Sequence, residues 1–569
     1  MTFKRNKEGI SVLREATAAD VIKAMTVPSF DDEAKFPGQN MKNMLCRDGA
    51  LECIAAPIMC SAVARGGRCV SVVDGNTLYF SAGRDICRVN EDGTFSLIGA
   101  NILTTEAGKA YAAGGKVIFT EGSALFSARN NTVIAEEPYI PCVVSDCTDD
   151  GRTYTVGEKM NILTAKVNIE YDVSYDNTRV TPQLIKLASV DGIYFPNGTK
   201  METSNYSVTI DGVGQATITL VEETSQRLTV RGTVRQSEIS AYSDAASAFT
   251  GNAPMCEVYS TEGGKTVLTF DRKTLYLFDL VGSTYIPCQY TTVDADEEIT
   301  AVLPYDDGWF VFTQNTIKRL EITDGAMTLK PFKRDFGCDI PQSAVSERDK
   351  VIFADKDMGI YYIDRYNVND KDVSRRISAN IDGMLREIDP DEMENAAAIV
   401  ACGKYYLFCK DKIFVWDQMK KTPSAAQNTE ADEKKLVWYK ICGIGDVKPI
   451  GALGEKVFFC GEDGTGYFVC READGDSLEG EFSSGRLDAG KVGVKTAESI
   501  SIHAKTVGKS TMEVIADGKI TPYKFAFCGE GEEKTYTVRL PAKKFNSIGF
   551  KINGKNLTLY GYEIKYYEG

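Results

Sequence analysis

The chain offers a single imidazole, His503 in the run SISIHAK, so a Ser-His-Asp or Cys-His arrangement would have to be built on it. It stands at an alternating position beside Ile502, and that alternation assigns it a structural place on a strand. Thiols are plentiful, with 16 cysteines. Cys69, Cys402, Cys409, Cys460 and Cys470 sit inside apolar strand patterns, where a free cysteine behaves as a small buried hydrophobe. Cys46, Cys53 and Cys60 recur every seven residues, but Pro57 and the lack of a heptad pattern break any helical reading. Zinc needs paired Cys or His at short spacing, and no C-x-x-C or H-E-x-x-H occurs. G-x-S-x-G and the phosphate-cradling G-x-x-x-x-G-K-[ST] are also missing.

Carboxylates remain. Paired Asp and Glu can cleave glycosides, one as acid and the other as base or nucleophile. TDDGRTY at 148–154 comes near the S-x-D-x-G-x-T-W box of sialidases, but its Asp-to-Gly spacing is wrong and it is not repeated. DADEE at 294–298 lacks the spaced oxygen ligands and glycine of a calcium loop and reads as a solvated acidic turn. NGT at 197–199 and NYS at 205–207 fit glycosylation sequons without a signal peptide to give them meaning. No catalytic, cofactor-binding or metal-ligating residue is therefore assigned from the sequence, and no cofactor is expected.

The elements that would position any site are clearer. RGGRCVSVVDGNTLYFSAG at 65–83 has a polar lead-in, a strand, a tight polar turn and a second strand. The same pattern recurs at 114–131, 262–280, 306–322, 347–364, 401–418 and 453–470. Further short strands, Glu298–Leu303 and Ala397–Val400 among them, lie between these hairpins. Self-similarity at this period, with about four strands per unit, predicts an all-β fold: a β-propeller of about seven blades. One gap is too long. Residues 147–245 depart from the pattern, yet alternate cleanly at Tyr206, Val208, Ile210 and at Leu228, Val230, which predicts a small β-domain inserted in a propeller loop. From 479 to 569 successive alternating strands predict a C-terminal β-sandwich. The resulting division is an N-terminal arm at 1–45 with a short helix at 16–25, propeller at 46–146, insert at 147–245, propeller at 246–478, and the sandwich.

Bulk composition narrows the function. The chain has 569 residues, long enough for two to four domains, with 43% hydrophobic and 25% charged residues, an ordinary globular balance. Net charge is −15, which disfavours general binding to nucleic-acid phosphates. Lys543 and Lys544 read as a solvated edge. No apolar run is long enough to span a membrane and no signal peptide is recognised, so folding in a cytoplasm is expected.

The organisation resembles that of the propeller proteins in bacteriophage tails and head–tail closures, which form the nozzle or seal the portal exit in short-tailed phages. FPGQNMKNMLCRDGALECIAAP at 36–57 is similar to that family's opening, through Gly38, Asn43, Asp48, Gly49 and Leu51. MNILTAKVNIEYDV at 160–173 resembles the opening of their insert, and KKFNSIGFKINGKNLTLYGYEIKYYE at 543–568 their closing strands. The resemblance implies a structural protein of the virion, assembled in the host cytoplasm. It implies a homo-oligomeric ring, with about six copies the usual expectation, contacting portal, adaptor or other tail proteins. DNA would be passing cargo within an acidic lumen. No site residue is carried over. The competing expectation is a propeller glycoside hydrolase or glycan-binding module.

Overall fold

A computed structural model describes residues 13–14, 41–47, 50–62, 71–103, 109–145, 161, 164–171, 179–180, 185–280, 290–364, 374–418, 436–469, 476–484 and 493–568, apart from short breaks within these spans. The helix expected at 16–25, the TDDGRTY stretch, Gly38, Asp48, Gly49, Cys69 and Cys470 lie outside the described residues.

Among the described residues the chain forms eight four-stranded sheets, a three-stranded sheet and a nine-stranded sheet. One of the eight belongs to the insert. The other seven are antiparallel meanders, and they are the blades of a propeller. Blade one spans 71–99, blade two 109–135, blade three 256–294, blade four 299–333, blade five 345–376 and blade six 397–442. Blade seven takes three strands from 447–469 and its outermost strand, Ile58–Ala62, from near the start of the chain. Thr465 faces Ala62 and Phe468 faces Ile58, so the ring is closed by hydrogen bonds between distant segments. Each of the seven repeated hairpins falls in a blade of its own.

The local chemistry explains the meander. Asp324–Gly325 and Cys402–Gly403 have positive φ at both residues (51° and 76°, 51° and 67°), the conformation that matches the twist of a two-residue hairpin. Cys402 is therefore an exposed turn residue, not the strand-core residue its flanking pattern predicted, whereas Cys409 is buried as expected. Blades pack face to face through aromatic rings: Phe312 of blade four lies 4.9 Å from Phe353 of blade five, and Tyr362 meets Trp416 of blade six edge-on at 5.6 Å. Phe408 meets Phe459 of blade seven at 5.9 Å, and Phe458 meets Phe95 of blade one at 5.9 Å. Each ring contact lies in a layer that a lone blade would leave open to water.

The insert consists of Cys142–Ser145, Lys166–Tyr171, Leu228–Val234 and Leu187–Tyr194 in one sheet, with a small sheet of Arg179–Val180, Ala216–Leu220 and Tyr206–Ile210. Its buried residues, including Ile193, Ile218 and Val230, are continuous with Ile118 of blade two and Phe278 of blade three. Its core is thus an outgrowth of the interface between those blades. The helix Ser243–Thr250 follows it.

The nine-stranded sheet joins N-terminal and C-terminal strands. Lys495–Ala516 and Lys519–Phe545 form a hairpin whose tip, Asp517–Gly518, again has two positive φ values. Lys495–Ala516 pairs on its other side with Leu557–Glu568 along its first half and with Ile548–Gly554 along its second. The hairpin is interrupted between Lys505 and Val507. Phe550 and Tyr562, from the two halves, meet edge-on at 4.7 Å. The strands expected to be short are here two very long ones. The N-terminal residues also differ from their expected places: Leu13–Arg14 pairs with Tyr567 and Tyr566, and Met41–Lys42 with Phe482 and Glu481, although 1–45 read as an arm. Met44–Arg47, which straddles the expected boundary of arm and propeller, and Ala50–Cys53, counted above with the propeller, pair with one another, and Leu51 faces Leu559 of this sheet.

Candidate functional site

The described residues concentrate their long-range polar contacts where the propeller meets the C-terminal sheet, and Asn43 is the centre. It is buried, with φ of 54°, a left-handed conformation that asparagine tolerates better than most side chains. Its backbone N–H donates to Lys440 O at 2.8 Å, and its carbonyl accepts from Ile54 N at 2.8 Å. Its side-chain oxygen accepts from Cys442 N at 2.8 Å, and its side-chain nitrogen donates to Glu479 O at 3.0 Å. One residue thus ties the outer strand of blade six, the N-terminal hairpin and the C-terminal sheet together. A second tie is reciprocal: Ser477 N donates to Asn556 Oδ1 at 2.9 Å, and Asn556 N donates to Ser477 Oγ at 2.6 Å.

Beside these ties lies a cavity of about 590 Å³, whose charged and polar lining includes Lys42, Cys442, Asp476, Glu479, Glu481 and Lys555. Lys551 Nζ sits 2.7 Å from Glu481, and Lys42 Nζ is 3.9 Å from the same carboxylate. Burial pushes the thiols of Cys442 and Cys53 up and the ammonium of Lys440 down. A thiol moved in that direction is protonated at neutral pH and is a poor nucleophile. The arrangement holds domains together; it does not bring a nucleophile to a base.

His503 is on an open face of the C-terminal sheet. Its Nε2 lies 2.6 Å from Glu533 Oε1 and its Nδ1 3.1 Å from Thr535 Oγ1, with the Tyr560 ring 5.5 Å away. Hydroxyl, imidazole and carboxylate are all present, but the His503 and Glu533 side chains are 43% and 52% exposed, and a reacting group there would sit in bulk water. The cluster is cross-strand pairing on a wet surface. The acidic turn at 294–298 is closed by Lys318, whose Nζ donates to Asp296 Oδ2 at 2.7 Å and to Ala295 O at 2.5 Å. That ammonium holds the Asp296 carboxyl below its ordinary range. Thr313 Oγ1 donates to Glu297 at 2.8 Å, so the turn is bound to blade four. Lys544 is exposed at the end of its strand. Among the described residues no group of three or more His, Cys, Asp and Glu gathers as metal ligands, and no helix is long and apolar enough to cross a membrane.

Sequence reasoning had picked out Asn43 and Leu51 only through a resemblance. The signal for the site was an asparagine between two strand-forming pairs, which marks a turn but not its partners.

No family model matches the chain, and no curated protein matches it. Solved structures do. A CNH domain described as AfRom2 is 7% identical, covers 73% of this chain and 99% of its own, and has a TM-score of 0.35. A catalytically inactive virginiamycin B lyase from Staphylococcus aureus, solved with quinupristin, is 12% identical over 76% of this chain and 98% of its own, with a TM-score of 0.31. The selenomethionine form of that lyase is 13% identical over 76% and 98%, with a TM-score of 0.26.

Proposed function

We propose that the chain is a structural subunit of a phage virion, one member of a tail or head–tail closure ring around the DNA exit path. Its work is contact between subunits, not turnover. The observation that carries this reading is mechanical. A closed propeller is latched through Asn43 to a sheet that holds strands from both the N-terminal and C-terminal parts of the chain, and that sheet presents a 27-residue strand, Lys519–Phe545, paired on one side only among the described residues. The stretches that resemble the phage proteins fall at the latch (Asn43, Leu51), at the start of the insert, and in the closing strands. The net charge of −15 suits a lumen along which DNA slides without sticking.

Mass photometry of the purified protein, alone and with portal and tail proteins encoded beside it, tests the reading. A discrete ring-sized species, formed alone or only with a partner, is the expected result. A monomer in every mixture, together with retention on a glycan array, would replace this reading with the glycan-binding one.

A further inference from the structure

Edge strands offer unpaired N–H and C=O groups, and stable proteins blunt them with inward charges, proline or bulges. The strand Lys519–Phe545 is blunted only in part. Pro522 and Pro541 stand near its ends, Glu530, Glu532 and Glu533 near its middle, and its register with the neighbouring strand slips on both sides of 524–530. Between Tyr523 and Gly529 the sequence YKFAFCG carries no proline and one charge. Tyr523, Phe525 and Phe527 point to the inner side yet are only half-buried, while Lys524, Ala526 and Cys528 are exposed on the outer side. Phe525 and Phe527 pack on the sheet's core from its rim. The inner face of this edge is therefore apolar and incompletely covered among the described residues.

We infer that this edge pairs with the same edge of a second copy, antiparallel, across a two-fold axis at Phe527. That register has a specific chemistry. It sets Lys524 of each copy opposite Glu530 of the other. On the inner side it sets Phe527 against Phe527 and Phe525 against Gly529. The inner side of Gly529 is already filled within its own chain, where a Cβ would lie 2.5 Å from Thr506 O and 2.7 Å from the Tyr536 hydroxyl, so the charged pairs carry the register. Lys524 already pairs with Glu513 on the neighbouring strand, so the contact would complete a row of carboxylate, ammonium and carboxylate. A two-fold contact closes on itself and uses up this edge, so the ring proposed above would have to be made through other surfaces.

The test uses the full-length protein, Lys524→Glu, Glu530→Lys and the double variant, with dimer affinity read by sedimentation and native mass spectrometry. The wild type is expected to dimerise in the micromolar range. Each single variant should weaken its own dimer about tenfold or more, since each sets two like-charge pairs face to face. An equimolar mixture of the two should form a mixed dimer as tight as the wild type, because every opposed pair is then complementary, and the double variant should recover. Glu530→Lys leaves the Lys524–Glu513 pair in place and decides the matter alone if Lys524→Glu fails to fold. A wild type that stays monomeric, a Glu530→Lys dimer as tight as the wild type, or folded single variants whose mixture does not re-form dimers would each overturn the contact. A ring together with a two-fold contact that Glu530→Lys does not weaken keeps the closure-ring reading and removes this contact; a charge-dependent dimer that never grows does the reverse.

Discussion

At the residue scale the latch makes a sharp claim. Asn43→Ala removes two buried hydrogen bonds and leaves a β-carbon at positive φ. A loss of about 2–4 kcal/mol in unfolding free energy is expected. Asn43→Gly, which keeps the backbone conformation, should lose less than Asn43→Ala in the same denaturant titration. The thiols make a second claim. Burial pushes Cys338 and Cys409 up to about 12 from an ordinary 9.0. Their folded pKa lies above the unfolded one, so their contribution is fully present below pH 9 and is lost as pH rises toward 12. Buried Tyr405 and half-buried Tyr406 shift in the same direction. Stability measured against pH should therefore be flat just below pH 9 and fall steeply above it. Maleimide labelling of the native protein should reach exposed Cys402 and Cys528, and should reach Cys338 and Cys409 only after unfolding. Sequence alone separated these poorly: Cys402 and Cys409 share one apolar run, and only the two-residue turn sends the first to solvent.

At the scale of elements, the connection from blade four to blade five is held by close approach. Gly337 runs against blade four, with Cys338 N donating to Thr313 O at 2.9 Å. A Cβ on Gly337 would lie 2.0 Å from that same backbone oxygen. Gly337→Ala is expected to lower the melting temperature by several degrees at least, with a cost of about 2–4 kcal/mol; an unchanged melting curve would show that the crossing is looser than described. This scale also shows what the sequence makes legible. A blade is a local meander, so its apolar runs and turn residues are adjacent, and seven hairpins can be read directly. The insert is legible through its strict alternation at Tyr206–Ile210 and Leu228–Val234. The strand Ile58–Ala62 is not, because its partner Thr465–Val469 lies in the last blade and nothing local marks the pairing. Met41–Lys42 and Ala50–Cys53 fail for the same reason. The long hairpin was read as several short strands because its alternation slips where its register does, between Ala497 and Ser499, Lys505 and Val507, and Glu513 and Ile515.

For the whole molecule, charge decides what the surface tolerates. With a net charge of −15, duplex DNA should not bind at any salt concentration in an electrophoretic shift assay. Binding at moderate salt that weakens as salt is raised would reveal a basic track and remove the sliding-lumen reading. The two closures of the fold have a temporal consequence. Asn43 must find Glu479, 436 residues later. At ribosomal rates of about 5–20 residues per second, the N-terminal strands wait roughly 20–90 s for their partners. For that interval the nascent chain can stack its middle blades but cannot complete either the ring or the sheet. The strands made early are thus among the last to find their places, and synthesis of the segments from Thr465 onward sets the moment at which ring and sheet can close.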